Sequence, residues 1–133
     1  MQKKVLRIIN KSKKIHSCTE LFKTMEILPL YSHYMFTLLM YVVNNKHLFT
    51  TTLAVHNHNN RSATNFHLPT TNLTKYQKGA YYTGVKIVNY LPAHIKNVAN
   101  EIQVFKKNFQ RLLLDKLFYS IDDYFNANND MYF

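Results

Sequence analysis

Cysteine, glycine and acid are what this sequence has least of. The single cysteine, Cys18, excludes an internal disulfide framework and any multi-cysteine zinc site. Two glycines, Gly79 and Gly84, exclude a P-loop and a dinucleotide-binding GxGxxG turn, which need more glycine at fixed spacing. Acids number seven against seventeen Lys and Arg, a formal charge of +10 with histidines neutral. No Asp or Glu precedes Glu20, and none lies between Glu26 and Glu101. Long apolar runs are also missing. Val5, Leu6, Ile8 and Ile9 sit among lysines that resume at once, which is not the profile of a targeting peptide. Ile27 to Asn45 is free of charge for nineteen residues but includes Pro29, Ser32, His33, Thr37 and three tyrosines. A spanning helix wants about 20 predominantly apolar residues, so a buried or half-buried helix fits this stretch better than a membrane span.

What is present is enough for a modest core. Apolar residues make up 47% of the 133 positions and aromatics 14%, which separates the chain from a disordered basic tail. The length suits one domain or a piece of a larger one. Its basic excess is uneven: Lys3, Lys4, Arg7, Lys11, Lys13 and Lys14 open the chain, while Asp115, Asp122, Asp123 and Asp130 follow Arg111 with only Lys116 against them. A field of one sign over most of a chain attracts polyanions, with nucleic acid first among them.

The periodicity predicts a mainly α chain of four or five helices with a long irregular connection in the middle, compatible with an incomplete domain. Residues 1–46 read as a helical segment. Within it, 2–10 form a basic amphipathic helix with Val5, Leu6, Ile8 and Ile9 on one side, and Thr19 caps a short helix through Met25. Pro29 then opens an apolar helix in its first turn, ending near Asn44–Lys46. Residues 47–75 read as a polar irregular linker without period. Residues 76–125 are a second helical segment, made of a helix over 76–90 closed by Leu91-Pro92 and a helix over 101–117 capped by Asn100. Ile102, Phe105, Phe109, Leu112, Leu113 and Leu117 supply the buried stripe of that last helix, and Lys106, Lys107, Gln110 and Arg111 fall off it. Ser120 and Asp123 have capping-box spacing for a final short helix, and 126–133 read as a frayed tail.

No catalytic constellation emerges. His56 and His58 alternate as two ligands on an extended chain would, but a zinc site needs three or four ligands, and the nearest acid is far away in sequence. Cys18 beside His16 has no acid or amide partner nearby in sequence and reads as a small, mostly buried residue. Asp122-Asp123 after Tyr119 lack the spacing and the third carboxylate of a two-metal polymerase centre. Catalytic residues, metal ligands and cofactors are therefore expected to be none.

The order of the segments carries a resemblance. Gln2-Lys3-Lys4-Val5-Leu6-Arg7-Ile8-Ile9 is similar to a "QKKAIRII" helix, and Glu20-Leu21-Phe22-Lys23-Thr24-Met25-Glu26-Ile27-Leu28-Pro29-Leu30 to "LFKKLKILPL". His56-Asn57-His58-Asn59-Asn60-Arg61 resembles "HNYNTR", with His58 where tyrosine and Asn60 where threonine is common, and His67-Leu68-Pro69 matches "HLP". Gln77-Lys78, Tyr81-Tyr82 and Gly84 to Pro92 resemble "QK…YYxGxKIYNxLP", apart from Tyr90 before Leu91. Phe105-Lys106-Lys107 and Phe118 to Phe125 resemble "FKKxLKxFLL…FYSxDEYF". In this order, over residues 2 to 125, the chain resembles the C-terminal, post-polymerase region of jockey-like non-LTR retrotransposon reverse transcriptases of animals.

That resemblance implies a diverged fragment of an RNA-directed DNA polymerase polyprotein whose palm and endonuclease would lie upstream of residue 1. It would be at most a nucleic-acid-binding accessory segment, without enzymatic activity of its own. The expected partners are RNA or DNA, bound weakly and through charge, and a full-length reverse transcriptase. Phosphate contacts would come from Lys3, Lys4, Arg7, Lys11, Lys13 and Lys14, with Arg61, Lys106, Lys107 and Arg111 as a second group. Exposed tyrosines such as Tyr81 or Tyr82 could stack on bases, with buried packing the expected use of at least one of them. The alternatives are a small protein anchored to a membrane by residues 27–43 and a fragment without selected function. An intracellular site is expected ahead of a membrane or secreted one.

Overall fold

The computed structural model describes residues 1–11, 17–56, 65–68, 75 and 79–129. Its architecture is mainly helical. The helices are α1 (Gln2–Ile9), α2 (Cys18–Thr24), α3 (Leu30–Asn44), α4 (Thr52–His56), α5 (Ala80–Asn89), α6 (Ala93–Lys96), α7 (Ile102–Lys116) and α8 (Ile121–Asn129), with a 3-10 turn at Lys46–Leu48.

Three of them build the main core. α3 buries Ser32, Met35, Leu39, Val42 and Val43, a three- and four-residue spacing that defines one face. α5 packs along it, and the contact is close because Gly84 stands opposite Val42, where an added Cβ would come within 3.1 Å of Val42 Cγ2. α7 crosses α3 from another side and buries Phe105, Phe109 and Leu113, one residue per turn. Ile87, Leu91, Ile95, Phe118 and Tyr124 complete the same cluster.

Polar side chains tie the layers together inside it. Ser32 Oγ donates to Phe118 O at 2.8 Å, and Tyr124 Oη donates to Ile87 O at 2.9 Å. Tyr124 is fully buried, so its hydroxyl needs this acceptor.

α1 docks apart from this core. Only Leu6 of its four apolar residues is buried, with Cys18, Phe22 and Leu117 around it. Val5, Ile8 and Ile9 remain exposed, which corrects the expectation that they pack with Leu6. The reason is the roll of the helix. Gln2, one turn before Leu6, donates from Nε2 to Leu28 O at 2.9 Å, and its Oε1 accepts from Leu30 N at 3.0 Å. This two-point clamp turns the Gln2–Leu6 face inward.

Several boundaries move for equally local reasons. Ser17, not Thr19, caps α2, its Oγ accepting from Thr19 N at 3.3 Å. Pro29 is the residue before α3, with extended ψ of 152°, and not part of its first turn. α7 begins at Ile102 after Glu101; Asn100 Oδ1 faces Lys46 Nζ instead of capping the helix. Ile102 is exposed, so the buried stripe starts at Phe105. The capping of α8 holds, with Asp123 N donating to Ser120 Oγ at 3.1 Å. That helix continues through Asn129 and buries Asn128, so fraying does not begin at 126; residues 130–133 lie outside the described ones.

The stretch 47–75 also differs from an irregular linker where it is described. Besides the 3-10 turn and α4, it forms an antiparallel bridge between Thr51 and Phe66. Asn89 pins that bridge to α5, its Nδ2 donating to Phe66 O and its Oδ1 accepting from Phe66 N, both at 2.9 Å. Phe49, Phe66 and Leu68 then pack with Val42 and Val85. Helix α5 itself starts at Ala80, later than expected, and residues 76–78 lie outside the described ones.

Candidate nucleic-acid interface

The amphipathic pattern of α7 turns its cations outward. Phe105, Phe109 and Leu113 are held in the core, so Lys107 and Arg111 stand exposed on the opposite side, while Lys106, next to Phe105 in the chain, is exposed at the flank of the buried face. Lys107 and Arg111 are one turn apart and therefore neighbours on the helix surface. α2 packs beside α7 and adds Lys23. A cleft of about 310 Å³ is lined by Lys23, Lys107, Gln110 and Arg111 and also by Glu26 and Asp115. An adjoining cleft of about 520 Å³ brings Lys106 and Gln110 beside Gln2, His33 and Glu26. Four cations thus line a shelf with two acids. Arginine can grip a phosphate with two parallel N–H groups, and lysines add point charges around it.

The first helix contributes less than its charge suggested. Lys4 and Lys11 are exposed. Lys3 lies with Nζ 4.6 Å from the centre of the Tyr119 ring, a contact that occupies part of its charge. Arg7 is half-buried. The structure connects α1 to the α7 shelf through Gln2, which lines the cleft that holds Lys106. Lys13, Lys14 and Arg61 lie outside the described residues. Of the two tyrosines considered for base stacking, Tyr81 is exposed but already stacked on Phe49 at 5.2 Å, and Tyr82 is half-buried.

Among the described residues no group of three or more His, Cys, Asp or Glu converges on a point that would hold a metal ion. His58 and the side chain of His56 are not among them. Cys18 is buried, with Sγ 3.8 Å from Lys3 O.

A second gathering of cations escaped the sequence reading. Lys46 follows α3 and Lys96 ends α6, yet both line one cavity of about 630 Å³. Lys46 Nζ donates to Ala99 O at 3.0 Å and faces Asn100 Oδ1 at 3.4 Å. Lys96 Nζ donates to Asn89 O at 2.6 Å and to Asn65 Oδ1 at 3.2 Å. Burial pushes the Lys96 ammonium below the ordinary lysine range, because removing it from water penalises the charged form. The acid-free stretch from 27 to 100 was the available signal: lysines there lack carboxylates nearby in sequence and turn to carbonyls and rings. Lys86, with Nζ 4.4 Å from the centre of the Phe125 ring, is another case.

No family model, curated protein or solved structure matches this chain.

Proposed function

We propose that this chain is a diverged post-polymerase segment of a jockey-like non-LTR retrotransposon reverse transcriptase, acting as a charge-led nucleic-acid-binding accessory without catalysis of its own. The origin rests on the ordered series of motifs from Gln2 to Phe125. The binding role rests on one observation, the exposed row Lys106, Lys107 and Arg111 beside Lys23. Lys4 and Lys11 extend the field, and Lys3 adds to it from over Tyr119. Arg7, Lys13, Lys14 and Arg61 stay in the proposal on charge alone. RNA or DNA is the partner, together with a full-length reverse transcriptase that supplies the chemistry.

The membrane alternative is not taken up. No helix among the described residues is long and apolar enough to cross a bilayer. The 15 residues of α3 rise about 22 Å, short of the ~30 Å hydrocarbon layer, and that helix commits Ser32, Met35 and Leu39 to the core.

Fluorescence anisotropy with labelled RNA and duplex DNA over a salt series tests the binding role. Affinity should fall steeply and linearly on a log–log plot, because counterions released into more concentrated salt gain less entropy. Absence of binding at low salt removes the role. The genomic DNA upstream of the first codon tests the origin, where decayed polymerase sequence is expected and unrelated sequence would overturn it.

A further inference from the structure

We infer that the cavity between α3, the Thr51–Phe66 bridge and α6 is a binding site for a nucleoside monophosphate, taken either as the free molecule or as the phosphorylated end of a strand. It shares no lining residue with the α7 shelf, so it stands or falls separately from the polyanion role.

Charge is the first reason. Lys46 and Lys96 both line the cavity, and among the described residues no Asp or Glu does. Each ammonium has three N–H groups, and two of them are directed at protein oxygens, from Lys46 to Ala99 and Asn100 and from Lys96 to Asn89 and Asn65. One donor on each remains for a ligand. Two cations without a carboxylate are matched best by a dianion. A phosphate monoester carries about −1.5 to −2 at neutral pH, because its second ionisation lies near 6. An internal phosphodiester has no such second ionisation, which selects a monophosphate or a strand end over the middle of a strand. The partly desolvated Lys96, held by two neutral oxygens, gains a counter-charge when such an anion enters.

Shape and lining supply the second reason. The half-buried Phe66 gives the cavity an aromatic surface, backed by the buried Phe49 with ring centres 5.5 Å apart and by Phe105 in the core. Flat bases stack on such rings irrespective of sequence. Asn97 and Asn100 bring amide groups that both donate and accept, the chemistry that reads a base edge. An apolar body with a few convergent polar groups is the usual make-up of a small-ligand site, and about 630 Å³ falls within its size range.

The test is titration of the full chain with uridine and adenosine 5′-monophosphates, followed by ¹H–¹⁵N NMR, with the nucleosides and inorganic phosphate as comparison ligands. Saturable shifts should appear at Phe66, Asn89 and Lys96. The nucleoside should bind at least roughly tenfold more weakly, the loss expected for charge-assisted hydrogen bonds. Lys46→Gln should weaken the monophosphate by a similar factor with the circular dichroism spectrum and Tm retained. Lys96→Gln should do the same; should it fail to fold, Lys46→Gln decides alone, since glutamine keeps an N–H donor for the Ala99 carbonyl. A 5′-phosphorylated oligonucleotide that outcompetes its 5′-hydroxyl counterpart identifies the strand end as the source; equal competition identifies the free nucleotide. Equal affinity for nucleoside and monophosphate, unchanged affinity in folded Lys46→Gln, or shifts confined to Lys107 and Arg111 would overturn the site. Loss of long-strand binding on reversing the α7 cations, with monophosphate binding intact, would leave it standing.

Discussion

Single polar side chains decide how the helices of this protein meet. Gln2 sets the roll of α1 through both ends of its amide, and Asn89 holds Phe66 by the same device. Ser32 is the most demanding of them, because it is wholly buried in α3 and its hydroxyl reaches the carbonyl of Phe118 on the turn between α7 and α8. Removing the donor strands that carbonyl away from water. Ser32→Ala should therefore lower stability by about 1–3 kcal/mol, the usual cost of a buried acceptor left without its partner. Urea unfolding followed by circular dichroism measures it; a loss below experimental error would mean that the Phe118 carbonyl finds water or another donor. None of these partnerships has a sequence signature. A glutamine in a basic helix, a serine in an apolar one and an asparagine before a turn are common, and their partners lie 23 to 86 residues away.

Elements were legible where a local period runs for several turns. α7 shows this best: Phe105, Phe109 and Leu113 repeat on one face, and its cations face outward as their spacing requires. The same logic found α3 and the end of α5 before Pro92. It could not find α4 and α6, which span only five and four residues, too few to show a period. Close helix approach is another property of elements. Gly84 lets α5 lie against α3, with Val42 Cγ2 at 3.1 Å from the position a Cβ would take and the Leu38 carbonyl at 3.9 Å. A leucine there has to push the two helices apart. Gly84→Leu should destabilise by about 1–3 kcal/mol, as overpacked cores do, despite the better helix propensity of leucine. Thermal unfolding would show this as a lowered Tm; an unchanged Tm would mean that α5 can slide along α3 without loss.

Across the whole molecule the +10 charge is divided among different uses. Lys3 and Lys86 lie over aromatic rings, Lys46 and Lys96 turn to oxygens in a cavity, and Lys106, Lys107 and Arg111 stand in solvent. The last group is placed for contact with a long polyanion without rearrangement, together with the exposed Lys4, Lys11 and Lys23. Reversing all three, Lys106→Glu with Lys107→Glu and Arg111→Glu, should reduce the magnitude of the log–log salt slope on duplex DNA by about 2–3, at roughly 0.9 for each phosphate that is no longer neutralised. Stability should change little, since exposed substitutions are usually within about 0.5 kcal/mol each. An unchanged slope in the folded variant would move the binding surface to α1 or elsewhere.

The sequence by itself determined the helical class, the stripe of α7, the cap of α8 by Ser120 and the outward row of cations. These depend on residues within a turn or two of one another, where helical periodicity and capping act. Tertiary structure alone decided which edge of α1 is buried, how Phe66 is fastened between Thr51 and Asn89, and that Lys46 and Lys96 share a cavity. Those outcomes join residues far apart in the chain. Packing geometry and the need to satisfy buried polar groups govern them, and neither leaves a repeating mark on the local sequence.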